Sequence, residues 1–68
     1  AMKENEPHYR IKSVATHETE NGLRVEISDG IAEFIPKSQI HPDSEVQHVG
    51  DAGELVCSLW IAQAKRWA

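Results

Sequence analysis

A single cysteine, Cys57, stands among 68 residues, with one phenylalanine, one tyrosine and three prolines. One thiol closes no internal disulfide and supplies no thiolate zinc site, so neither staple supports this chain. Cations are also scarce: seven Lys and Arg face eleven Asp and Glu, for a net charge of −4. Proteins that hold DNA chiefly by charge are basic, and that class is excluded. No apolar run approaches the ~18 residues needed to cross a bilayer. The amino-terminal Ala-Met-Lys-Glu-Asn-Glu lacks the apolar segment of a signal peptide. A reduced, cytoplasmic chain is the expectation. Internal repeats and low-complexity segments are missing too.

What is there is an ordinary globular composition, 40% hydrophobic and 26% charged. A chain of this length buries only roughly 60% of its unfolded surface, so its core is thin. That leaves little room for a deep, water-excluding pocket, and a non-enzymatic role is expected, with no cofactor. Ala1 before Met2 reads as a cloning remnant. Residues 1–7, polar and closed by Pro7, read as a disordered tail, and residues 8–68 as one small domain.

From Tyr9 the pattern becomes that of strands. Tyr9, Ile11, Ser13 and Ala15 share one face of an extended segment, with Arg10, Lys12 and Val14 on the other. Leu23, Val25 and Ile27 alternate with Arg24, Glu26 and Ser28. A two-residue Asn21-Gly22 turn would set Glu18 against Val25. A three-residue Glu20-Asn21-Gly22 loop instead sets Ala15 against Ile27, His17 against Val25 and Glu18 against Arg24, and is preferred because it keeps charge out of the core. Asp29-Gly30 signals a type I′ turn. Its simplest register pairs Val25 with Phe34 inside, and Arg24 with Ile35, Ser28 with Ile31 and Glu26 with Glu33 outside. The glutamate pair repels, and two isoleucines face water.

Pro36 ends the third strand. Lys37-Ser38-Gln39-Ile40 reads as one 3₁₀ turn, Glu45–Val49 as a short edge strand, and Glu54–Cys57 as the last strand. Ser58 offers an N-cap to a helix from Leu59 to Ala68, whose apolar stripe is Trp60, Ala64 and Trp67 beside Ile61. The expected fold class is α+β and β-dominant: a small twisted antiparallel sheet of three to five strands, with an SH3-like open barrel as one form, closed by one C-terminal helix.

The sequence Phe34-Ile35-Pro36-Lys37-Ser38-Gln39-Ile40, then Ser44-Glu45-Val46, then Gly50-Asp51 and Gly53-Glu54-Leu55-Val56, then Trp60-Ile61-Ala62 with Lys65, spans residues 23–68 together with Asp29-Gly30. It resembles a group of small phage and mobile-element proteins in which a tryptophan usually leads an Ile/Leu-Pro-Lys/Arg-Ser-Gln motif. Similar segments lie beside, or are fused to, nucleic-acid-processing proteins. The resemblance implies a provenance and a fold and carries no activity. Two departures stand out: Phe34 takes the place of the usual tryptophan, and Arg66-Trp67 follows Lys65 where glycine is common. The second is expected to let the helix run to the terminus.

Candidate chemistry is sparse. His8, His17, His41, His48 and Cys57 lack the close ligand spacing of a metal site, so no metal is expected. Cys57 in an apolar strand behaves as a small hydrophobe rather than a nucleophile. Glu18, Glu20, Glu26, Asp29 and Glu33 gather five carboxylates around Arg24. The plain reading is a solvated face. The functional one is an acidic patch for a basic protein partner, with contacts at Glu26, Asp29, Ile31, Glu33 and Ile35. With the resemblance, that becomes a phage or mobile-element inhibitor or adaptor of nucleic-acid machinery, of the anti-defence type. The alternative is a nucleic-acid accessory domain using Lys37, Lys65, Arg66 and Trp67. A third reading is a homo-oligomer that hides Ile31 and Ile35.

Overall fold

Alternation along the first strand works as expected. In the computed structural model, which describes residues 6–28 and 30–68, Tyr9, Ile11, Ser13 and Ala15 turn inward while His8, Arg10, Lys12 and Val14 are exposed. Strand β1 (His8–Glu18) pairs with β2 (Gly22–Ser28) and β4 (Ala52–Ser58), and β2 pairs with β3 (Ile31–Pro36). The result is a four-stranded antiparallel sheet of order β3-β2-β1-β4. A 3₁₀ turn (Lys37–Gln39) follows β3, and one helix, α1 (Leu59–Ala64), follows β4. The fold is α+β and β-dominant.

Two bulges decide the registers. In β1, Ala15 pairs with Val25, whereas His17 pairs with Arg24 and Glu18 with Leu23. The extra residue at Thr16 shifts the ladder by one. The hairpin closes with Thr19 N–H donating to the Gly22 carbonyl at 2.9 Å, which leaves only Glu20 and Asn21 as the loop. The expected three-residue loop, with Glu18 against Arg24, is therefore corrected. Gly22 serves another purpose: a Cβ built there would lie 1.9 Å from the Phe34 ring. Glycine admits that ring to the strand surface.

The second bulge, at Ile27, lies between the Ser28–Ile31 and Glu26–Ala32 pairs. Beyond it Val25 meets Glu33, Arg24 meets Phe34 and Leu23 meets Ile35. One inserted residue flips the facing of the whole of β3. Ile35 is thus fully buried at 0% exposure and Phe34 is 46% exposed, the reverse of the expected arrangement. The expected Glu26–Glu33 clash does not arise. At the turn itself Gly30 has φ +75, the positive value a primed turn needs, while Asp29 lies outside the described residues.

The core sits between the inner face of the sheet, α1 and the connection from β3 to β4. Leu23, Val25, Ile35, Ile40, Val46, Leu55 and Cys57 form it with Ala15, Ile61 and Ala62, and Trp67 packs against it. Residues 45–49 form no strand, contrary to expectation; they instead help a loop that lines the free edge of β4. His41 N–H donates to Val56 O at 2.8 Å, Glu45 N–H to Glu54 O at 3.0 Å, and Ile40 bridges Cys57. Ser44 organises this loop. Its buried Oγ accepts from the Val56 N–H at 3.0 Å and the Val46 N–H at 3.2 Å, and donates to Val46 O.

Helix α1 stops four residues short of the expected end. Trp67 N–H donates to Ala62 O at 2.8 Å and Arg66 N–H to Gln63 O at 3.1 Å. That pair of bonds is a Schellman cap, which needs a left-handed residue between helix and tail. Arg66 fills it at φ +64. The cap turns Trp67 back onto the core, where Tyr9 Oη donates to its carbonyl at 2.7 Å. The buried helical face is Ile61 and Ala62; Trp60, expected inside, is 59% exposed and donates through Nε1 to Gln39 Oε1.

Two substitutions test these devices in urea unfolding. Arg66→Gly relieves the left-handed strain and raises stability by roughly 0.5–1 kcal/mol. Ser44→Ala orphans two buried N–H groups and lowers it by roughly 1–3 kcal/mol.

Candidate functional site

Helix α1 covers one face of the sheet. On the opposite face β1 presents Arg10, Lys12 and Val14, β2 presents Arg24 and Glu26, and β3 presents Ala32 and Phe34. Towards one end of this face lies a groove of about 360 Å³, lined by Lys12, Val14, Glu26, Ile27, Ser28 and Ala52 among others. Val14 is an apolar side chain left half exposed at its wall. Among the described residues neither Lys12 nor Glu26 enters an ion pair, whereas Arg10 is held by Glu54 at 2.8 Å. An apolar groove flanked by two free charges of opposite sign is the chemistry available here.

The acidic contact set does not assemble as one patch. Glu26 is exposed at the groove and Ile31 is exposed opposite Ser28. Ile35 is a core residue, because the bulge at Ile27 turns it inward. Glu33, turned the same way, pairs with Lys65 at 3.1 Å. Asp29 lies outside the described residues. The alternative set is equally tied up. Lys65 is bound to Glu33, Lys37 to Glu18, and Trp67 packs against the core. Arg66 is exposed at the helix cap.

Glu18, expected on a solvated face, is a clamp. Its carboxylate takes Lys37 Nζ and the Val49 N–H at 3.0 Å, with His48 Nδ1 3.1 Å away. One side chain thus ties the β1–β2 hairpin to the start of the 3₁₀ turn and to the 41–51 loop. Asp51 shapes the same loop by accepting the N–H groups of Gln47 and His48, which lower its pKa. Burial pushes the Cys57 thiol up to about 11, so it is held as the protonated thiol at neutral pH. Among the described residues no three His, Cys, Asp or Glu side chains converge on a metal position. No helix among them is long and apolar enough to cross a membrane.

Part of the groove was visible in the sequence. The alternation of β1 already placed Lys12 and Val14 together on the wet face, and an apolar Val14 there was the signal. Phe34 was hidden by the bulge. Comparison with known proteins finds no family model, no curated protein and no solved structure that matches the chain. The functional reading therefore rests on this surface.

The clamp also sets a pH dependence. The Lys37 ammonium, the Val49 N–H and His48 hold the Glu18 carboxyl at about 2, below the ordinary 4.5. A native pKa below the unfolded one stabilises the fold above the ordinary value and loses that contribution as pH falls toward the native one. Wild-type stability should fall between pH 4.5 and 2 more steeply than that of Glu18→Gln. Urea midpoints across that range measure it; parallel slopes would remove Glu18 as the cause.

Proposed function

We propose that the chain is a non-catalytic protein-binding module that docks through the outer face of its sheet, centred on the groove between Lys12, Val14 and Glu26. The observation that carries this is the exposed Val14 wall set between Lys12 and Glu26, neither of which enters an ion pair among the described residues. Mixed charge around an apolar groove suits a protein surface, which supplies both signs and apolar side chains. A polyanion is a poorer fit. Two of the cations nominated for nucleic acid, Lys37 and Lys65, are spent on Glu18 and Glu33, and Trp67 is anchored. The contacts proposed on this face are Lys12, Val14 and Glu26, replacing a set that relied on Ile35 and Glu33; the exposed Ile31 alternates with Ala32 and Phe34 onto the opposite face.

The resemblance to phage and mobile-element proteins makes an inhibitor or adaptor of nucleic-acid machinery the concrete form of this reading, with the host cytoplasm as its setting. Its test is quantitative capture from lysate of the cell that encodes the chain, with wild type, Val14→Lys and Glu26→Lys as baits. Both positions are exposed, so circular dichroism and melting temperature should stay close to wild type. Loss of the dominant captured protein by about tenfold in both variants is expected. Equal capture by all three baits would overturn it, as would a salt-dependent shift of labelled oligonucleotide that Val14→Lys leaves intact.

A further inference from the structure

The two edges of the sheet are treated differently. The outward groups of β4 are sealed: Val56 and Glu54 receive His41 and Glu45 N–H at their carbonyls, while their own N–H groups go to Ser44 Oγ and Glu45 Oε1. Edge strand β3 has no such cover. Lys37 N–H donates to Asn21 O, which fixes the ladder phase, so residues 33, 35 and 37 turn their backbone groups toward β2. The N–H groups of Ala32 and Phe34, and the carbonyls of Ala32, Phe34 and Pro36, therefore point off the edge. Among the described residues none of them has a partner.

We propose that this edge pairs with a second copy of itself, β3 against β3 in antiparallel sense, joining two sheets into one. Two two-fold registers satisfy the exposed groups best. One centres on Glu33 and sets the two Glu33 side chains directly opposite, where like charges repel. The other centres on Phe34. There each Phe34 N–H meets the other copy's Phe34 carbonyl, and each Ala32 N–H meets a Pro36 carbonyl. Proline at that position costs nothing, because only its carbonyl is used. The same register lays the two half-exposed Phe34 rings side by side and puts Glu33 opposite Ile35. The Phe34-centred register, which covers the exposed aromatic and keeps the two Glu33–Lys65 pairs apart, is the self-complementary arrangement a closed two-fold contact requires.

This contact is separate from the groove, so Val14→Lys should leave it intact and the two proposals fail independently. The test combines sedimentation with amide exchange on the full chain. A species of twice 7.6 kDa should form as concentration rises. Exchange at the Ala32 and Phe34 amides should slow about tenfold over the same range. Phe34→Lys, which opposes two cations at the axis, should stay monomeric while remaining folded. Ala32→Pro, which removes the outward N–H, should do the same. A monomer at millimolar concentration would overturn the proposal. So would a dimer whose Ala32 and Phe34 amides exchange as fast as in the dilute chain.

Discussion

Between Glu26 and Ser28 the second strand carries one residue more than its partner, and everything on β3 takes its facing from that insertion. With the bulge, Ile35 fills the core opposite Leu23, Glu33 turns inward to reach Lys65, and Phe34 is left on the outer face over Gly22. Without it each of these would reverse, turning Glu33 away from Lys65, burying Phe34 and stranding an isoleucine in water. A bulge of this kind also increases local twist. The chain leaving β3 then comes round under the sheet, so that Ile40 meets Cys57 on the far strand.

Charge in this small domain works largely as fastening. Glu18 holds three segments, Asp51 shapes the loop that leads into it, and Glu33 ties an edge strand to Lys65 near the C-terminus. A thin core explains the arrangement. With no disulfide and a helix of six residues, the long 41–51 connection needs polar anchors to stay over β4. Ser44 and Gln47 add to them; the Gln47 amide donates to the carbonyls of His41, Pro42 and Ser44. The net charge of −4 is therefore not a free acidic field, because several of its carriers are already bound within the fold.

Element types were legible because they depend on short-range pattern. The period of two in β1 and β2, the Asp29-Gly30 signal and Pro36 placed three strands and the 3₁₀ turn, and Ser58 marked where the helix begins. Registers were not legible, because a bulge leaves no mark on alternation within its own strand. Ile27 looks like one more inward residue until its partner is known. The helix end was missed for a related reason: arginine is a poor occupant of a left-handed cap, and only tertiary packing of Trp67 explains its use. The candidate site suffered most, since Ile35 and Glu33 were placed by a register that one residue overturned.

Cys57 lies at the crossing of these constraints. It is paired with Tyr9 on one side, bridged by Ile40 on the other, and fully buried in the core. Its sulfur can meet a dissolved reagent only when the packing around it opens. The chain therefore carries a native chemical clock. The rate at which an alkylating agent consumes that one thiol reports the open population of the centre of the domain when reclosing outpaces alkylation, and its opening rate when alkylation is faster.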